Sequence, residues 1–493
     1  MRDDSARRIR LYPVVVIVVL IAVLAVGTMS NLSRNPQPEL VAEGIPGRKV
    51  PATTTARLPS VHPDLVRHAL ADLDALTLPS GATLAGWDGP WRFVWPRDAS
   101  FVAAARCSVG QYAEADRVLA YLTRIRPTSG RWAARYLADS GSPVPDGREA
   151  QSDGSGWVLW ATWFCAVSRP DTAAALVGLR AGWPMLKQSG DQIVAELGTD
   201  GLPQASPDYW ERHEPEVTLG TIAPLLAGLR AGIATADLLG RNGEADRWRA
   251  ALSRLSTATD RTFGPDYPRT PAQATSTNSE LGGATQLRTP TTPRQTAGLD
   301  NPVGVDNQVG VDPVRVDNPV GVPVGVAAQT GLDNTAGLHD TTGLRDTLGI
   351  GGVARPAGGG SVGIAGGADA IVTVLGPPFA PPRADISAAI ERSHDLLTLP
   401  NGGVTPGQDW RADGVAWTPQ TALFGLSAAA RGDRATAESV LTWLDTHRTS
   451  TGALPEKVNR ENRLAGEAPL GWTCALVILT AAALDTPLPT PAG

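Results

Sequence analysis

The stretch TLGTIAPLLAGLRAGIATADLLGRNGEADRWRAALSRLSTATDRT (218–262) decides the fold. It reads as two helices, Thr218–Leu239 and Glu244–Thr262, folded back around the turn Gly240-Arg241-Asn242-Gly243. A Gly- and Asn-containing turn between two helical patterns is the signature of a helical hairpin. Working outward, the same pattern recurs. Upstream lie His62–Leu76, with Leu65, Leu70, Leu73 and Leu76 at helical spacing, then Asp98–Cys107 and Ala113–Leu122, broken by Gly110. Val158–Val167 ends before Arg169-Pro170, and Asp171–Ala181 restarts with an acidic first turn, which suits the helix dipole. Downstream come Ala384–Leu397, Thr418–Arg431, Asp433–Thr446 and Pro469–Leu484. No stretch alternates with the period of a strand. Roughly eleven or twelve helices in pairs, joined by turns of about two to six residues, make an all-α domain of helical hairpins. LTLP occurs at 76–79 and again at 397–400, each time closing a helical stretch.

Composition excludes some classes. The 493 residues are 42% apolar and 19% charged, so the chain has material for a sizeable core and is not wholly disordered. The net charge of −6 excludes a basic nucleic-acid surface. Lysine occurs only at Lys49, Lys187 and Lys457, all other basic groups being Arg or His. Tryptophan is in excess, with 14 Trp against 6 Phe and 6 Tyr, and the indole is a good flat platform for rings such as sugars. Cys107, Cys165 and Cys474 are widely spaced, with no CxxC pair. One disulfide is possible; the sequence favours three buried free thiols. His62, His68, His213, His339, His394 and His447 form no metal-ligand pattern, and no phosphate loop is present, so neither metal nor cofactor is expected.

Arg2, Arg7, Arg8 and Arg10 precede an uncharged run, 11–29, rich in Val, Ile and Leu and long enough to cross a bilayer. We read residues 1–10 as a cytoplasmic N-terminus, 11–29 as a transmembrane signal-anchor helix and 30–58 as a tether. The remainder of the chain is then extracytoplasmic, or secreted if the segment is cleaved as a signal peptide. Residues 270–366 carry a degenerate six-residue repeat, with TAGLDN (296–301), PVGVDN (302–307), QVGVDP (308–313), TAGLHD (335–340) and TTGLRD (341–346). A hexapeptide β-solenoid needs a steadier register than this, so we expect a disordered insertion that splits one helical domain into 59–269 and 367–485, with a tail at 486–493.

Two segments gather Trp, Pro, carboxylates and Arg, WRFVWPRD (91–98) and PDYWERHE (207–214), and a third, GALPEKV (452–458), adds a Pro-Glu pair. Singly, each has a plain structural reading as a helix cap, a surface ion pair or a helix start. Together they offer what sugar hydrolysis without metal requires: two carboxyls, a rigid charged clamp and an aromatic wall. Glu211 and Glu456 are the candidate carboxyls, Arg97 and Asp98 the clamp, and Trp95, Trp210 and Trp410 the wall, with Asp208 a further substrate-binding candidate. A Glu211 packed on Trp210 would be partly desolvated, as an acid catalyst requires.

The motifs WPRDASF (95–101), QSDG (151–154), DYWE (208–211), WTPQTALFGL (417–426), ALPEKV (453–458) and APLGWTCAL (468–476) resemble glycoside hydrolase family 15, the glucoamylase family, in its bacterial form. The resemblance covers most of 60–264 and 367–485. It implies an (α/α)6 barrel with the site at one end, and hydrolysis with inversion. It places Glu211 at the general acid, Glu456 at the general base, and Arg97 and Asp98 on the hydroxyls of the terminal sugar. Inversion requires carboxyls about 6.5–9.5 Å apart. The chain departs from the family where Arg212 follows the acid and in GGVTPGQDWRADG (402–414), whose nearest arginine is Arg411. The implied activity is an exo-acting α-glycosidase that frees glucose from α-glucans or oligosaccharides, or splits trehalose. A non-catalytic or weakly active glycan-binding surface protein on the same fold is the alternative.

Overall fold

The structure is a computed structural model that describes residues 37–52, 54–271 and 363–492. The transmembrane span expected at 11–29 and the repeats of the insertion lie outside the described residues. Eleven α-helices are described: α1 (Pro63–Leu76), α2 (Pro96–Ser108), α3 (Tyr112–Ile125), α4 (Asp153–Ser168), α5 (Thr172–Glu196), α6 (Leu219–Leu238), α7 (Asn242–Phe263), α8 (Ala384–Leu397), α9 (Thr418–Arg431), α10 (Arg434–Thr446) and α11 (Gly471–Asp485). A six-residue 3₁₀ segment, Ala370–Leu375, stands between α7 and α8. Strand structure among the described residues is limited to three two-residue strands, β1 (Ala416–Trp417), β2 (Lys457–Val458) and β3 (Leu464–Ala465), antiparallel in the order β1-β2-β3.

The chain alternates between an outer and an inner layer. Outer α1 buries one stripe, Leu65, Val66, Ala69, Leu70, Leu73 and Leu76, with polar residues between. Inner α4 is buried at every position from Asp153 to Ala166. Packing partners close the inner layer into a ring: α2 against α4, α4 against α6, α6 against the 3₁₀ segment, that segment against α9, α9 against α11, and α11 against α2. Outer α1, α3, α5, α7, α8 and α10 each back one stave. The sequence reading missed the fourth stave, AIVTVL (370–375), because six residues, five of them apolar and four β-branched, carry no helical period.

Strict alternation has one consequence for function. Every inner stave is entered from an outer helix, so all six inner N-termini point to one end of the ring. The loops that carry the sequence motifs therefore gather at that end, facing the partial positive charge of the helix N-termini. The LTLP echo belongs to this junction. The outer helices α1, α5 and α8 leave through β-bridges of identical spacing, Thr77↔Thr83, Leu197↔Pro203 and Thr398↔Val404. Each bridge encloses a left-handed glycine, Gly81, Gly201 or Gly402, at the position the tight turn requires.

Four expectations are corrected. Cys107 and Cys165 form a disulfide, with Cα atoms 5.3 Å apart, that joins the last turns of α2 and α4; Cys474 alone is free and buried. Spacing in sequence hid the pair because neighbouring staves bring distant residues together. Residues 39–48, read as tether, lie against the domain: Val41 N donates to Gly466 O at 2.9 Å and Gly466 N to Glu39 O at 2.8 Å. Arg48 Nε is 2.9 Å from the buried Asp72 carboxylate. The insertion is shorter at its ends than 270–366, since Thr270 N donates to Gly366 O at 3.1 Å within the helical unit. Helix α5 continues past Ala181, through Pro184, to Glu196.

Candidate active site

Asp208 shapes the loop that presents Glu211. Its Oδ1 accepts from Trp210 N at 2.8 Å and its carbonyl from Glu211 N at 2.8 Å, which closes a tight Asx turn. Glu211 leaves this turn at φ 58°, a left-handed conformation rare for a side chain of its size and typical of functional positions. Asp208 is fully buried, and Thr218 Oγ1 donates to its Oδ2 at 2.6 Å. Arg269 Nη2 is 2.9 Å from Asp208 Oδ2, 2.6 Å from Glu214 Oε1, and Arg269 Nη1 is 2.8 Å from Asp369 Oδ2. Burial alone would lower the pKa of Arg269; Asp208, Asp369 and Glu214 outweigh it and raise it. Asp208 is thus occupied by protein donors and positions the loop; its placement does not suit substrate binding.

Two arginines hold the Glu211 carboxylate. Arg97 Nη1 donates to its Oε1 at 3.4 Å and Arg148 Nη1 to its Oε2 at 2.7 Å. The ring of Trp210 carries guanidinium groups, Arg269 at 3.5 Å and Arg212 at 4.4 Å from the centroid. Arg97, on the first turn of α2 after Pro96, also donates from Nε to Asp98 Oδ2 at 3.1 Å and lies 4.6 Å over Trp472. Burial opposes the charge of Arg97, but Asp98, Glu211 and Asp153 together raise its pKa. Burial raises the pKa of Asp98, against the pull of Arg97. Asp153, at the start of α4, is pushed up to about 7 by burial and then by Glu211 and Asp208, with Arg97 and Trp157 acting in the other direction.

Glu456 enters the ring from the far side. The loop carrying Glu211 leads into α6 and the loop carrying Glu456 into α11, three places apart among six staves and so opposite one another. The backbone of Glu456 is locked between two neighbours: Thr418 N donates to its carbonyl at 3.0 Å, and its N–H donates to Glu467 O at 2.7 Å. Its carboxylate is nearly buried, 3.2 Å from Lys457 Nζ. A side chain at position 466 would come within 2.4 Å of Glu456 Oε2, so only glycine fits there. Glu467 is fully buried; its Oε1 accepts from Trp87 N and, at 3.0 Å, from Asp88 N. Burial, then the charges of Asp88 and Glu456, push the Glu467 carboxyl up to about 7 against those two bonds.

An edge-to-face row connects the two sides. Trp210 and Trp410 have centroids 4.9 Å apart, Trp410 and Trp417 5.5 Å, and Lys457 Nζ lies 4.2 Å over Trp417. Trp410 is part-exposed, whereas Trp95 is 7% exposed and Trp210 3%. The indole N–H groups of Trp95, Trp210, Trp417 and Trp472 are buried without an acceptor among the described residues. Arg411 lies 5.8 Å from the Trp410 ring and makes no ion pair with described residues.

The structure therefore joins Asp98 and Glu211 through Arg97, and links Trp210 and Trp410 to the strand beside Glu456. The sequence reading had no role for Arg148, Asp153, Trp417, Lys457, Glu467 or Trp472. Asp153, Trp417, Lys457 and Trp472 lie inside motifs already quoted; for Asp153, Trp417 and Trp472 position at a stave's N-terminus was the available signal. Arg148 and Glu467 had none.

No family model matches the chain, and no curated protein matches it. Solved structures do. A glycosidase aligns with TM-score 0.58 at 18% identity, over 86% of this chain and 96% of its own. A bacterial glucoamylase complexed with acarbose aligns with TM-score 0.54 at 14% identity, over 87% of this chain and 56% of its own. A GH63 mannosylglycerate hydrolase from Thermus thermophilus, in complex with glucose, aligns with TM-score 0.51 at 12% identity, over 84% and 99%. At these identities the likeness is one of fold, the mostly helical fold of these glycosidases.

Proposed function

We propose that the chain is an inverting, exo-acting α-glycoside hydrolase of the glucoamylase family. Glu211 acts as general acid and Glu456 as general base. The observation that carries this reading is the position of two carboxyls on opposite sides of one end of the ring, with Glu211 against the buried Arg97-Asp98 pair. The proton of Glu211 goes to the glycosidic oxygen as the bond from that oxygen to the anomeric carbon breaks. Glu456 takes a proton from water, whose oxygen bonds to the anomeric carbon from the opposite face. Arg97 and Asp98 hold the hydroxyls of the terminal sugar, with Trp95, Trp210 and Trp410 around it. The substrate is an α-glucan, a short α-glucoside or trehalose.

We place the domain outside the membrane, anchored by residues 11–29. The Cys107–Cys165 disulfide supports this, since such bonds persist in oxidising compartments. Incubation with maltooligosaccharides, isomaltose and trehalose tests the activity; free glucose from at least one is expected, and no hydrolysis of any α-glucoside contradicts it. One observation favours the second reading, a glycan-binding protein without turnover: both carboxyls are ion-paired, Glu211 with two arginines and Glu456 with Lys457. That reading gives sugar binding unaffected by Glu456→Gln and no product.

A further inference from the structure

Away from the motif-bearing end, a cavity of about 160 Å³ lies between α6, α7, the 3₁₀ stave and the start of α8. Leu226, Arg230, Ser256, Asp260, Leu375 and Arg383 are among its walls. Arg230 sits well along α6, roughly 16 Å from that helix's first residue at 1.5 Å per residue. The cavity is thus distinct from the Glu211 loop.

The side chain of Arg230 makes no hydrogen bond and no ion pair with any described residue, and its Nε is buried without an acceptor. The carboxylates nearby are committed elsewhere. Asp260 takes Arg383 Nη1 at 3.0 and 3.2 Å and the Tyr267 hydroxyl at 2.9 Å. Asp385 takes Arg383 Nη2 at 2.6 Å and the Tyr267 hydroxyl at 3.0 Å. Burial and the neighbouring Arg383 both lower the pKa of Arg230, and only Asp260 raises it, so its charge is poorly compensated. Arg230 is half-buried, and its Nε is withdrawn from water with no acceptor, which costs free energy unless a ligand supplies one. Ser256 adds a hydroxyl with no partner among the described residues.

We propose that this cavity binds a small oxyanion, a carboxylate or phosphate group, gripped by the Arg230 guanidinium with the Ser256 hydroxyl as second donor. The planar fork of arginine suits both groups, which it meets with two parallel bonds. The volume equals about five waters, which limits the ligand to a short molecule. Asp260 on the wall, though bound to Arg383, disfavours high charge and so selects a monoanion. Such a ligand would tie the inner stave α6 to the outer helix α7.

Thermal unfolding of the full chain tests this, with sodium phosphate, acetate or pyruvate titrated against sodium chloride at matched ionic strength. The expected result is a saturable rise in Tm with phosphate, with the carboxylates, or with both, which identifies the group taken. Arg230→Gln loses the rise, and Ser256→Ala weakens it. Without added anion, Arg230→Met has a Tm equal to or above the native chain, because an unpaired charge is removed. Anion shifts no larger than chloride, or the same saturable shift in Arg230→Gln, overturn the proposal. If Arg230→Gln does not fold, Arg230→Lys decides: unchanged affinity for every anion overturns it, and weaker binding supports it.

Discussion

At the scale of single residues, the two glutamates are distinguished by what holds them. Glu211 hangs from a left-handed turn between two guanidiniums; Glu456 is pinned through its backbone beside Lys457. Glu211→Gln and Glu456→Gln each keep this geometry and remove the proton chemistry. Each is expected to lower kcat by a factor of about 10² to 10⁴, with sugar binding within a few-fold of native in a titration; full turnover in either variant removes that residue from its assigned role. Glu467 makes a separate prediction about stability. Its carboxyl is raised from 4.5 to about 7 on folding, so between those values the native state keeps a proton that the unfolded chain releases. Stability from this group is therefore full below pH 4.5 and is lost as pH rises to about 7, at no more than ~1.4 kcal/mol per pH unit. Glu467→Gln keeps an acceptor for Trp87 and Asp88 and should flatten that slope in urea titrations; an unchanged slope refutes the assignment. These residues also mark where sequence reading stops. Glu211, Arg97 and Asp98 were legible because a short motif names them. Arg148 and Glu467 were not, because contacts between separate loops, which no local pattern encodes, give them their roles.

At the scale of elements, helix existence was legible and the partners were not. Thr418–Arg431 and Ala384–Leu397 match the sequence reading residue for residue, since capping prolines and periodic apolar positions are local signals. The Cys107–Cys165 bond and the Asp208–Arg269 cluster depend on which helix lies next to which. Helices α4 and α6 cross with their glycines in contact: a Cβ at Gly228 would come 2.4 Å from the Cα of Gly156. Gly228→Ala forces these two inner staves apart and should cost about 1–3 kcal/mol, read as a lower urea midpoint with unchanged m-value. An unchanged midpoint shows the crossing to be looser than described. Removing the disulfide with Cys107→Ala and Cys165→Ala should cost about 2–4 kcal/mol, since the bond closes a long loop between two staves. A double variant as stable as the native chain contradicts that.

At the scale of the whole molecule, the closed inner ring explains why residues so far apart in sequence meet at one end. Alternation between layers brings six loops to one end, and ring order sets the two glutamates opposite each other. The sequence suggested hairpins, but ring closure rests on α11 packing against α2, a contact between the first and last inner staves. The 3₁₀ stave stayed invisible for the same reason: its place comes from α6 and α9 on either side. The strap at 39–48 reads as a linker by composition, yet it pairs with Gly466, against which the Glu456 carboxylate rests. Carboxyls across a ring, in the proposed reaction, direct water to the face opposite the departing sugar. NMR of the first product formed from an α-linked oligosaccharide tests this most directly. Inversion gives β-glucose as the initial anomer; α-glucose as the initial product would contradict it.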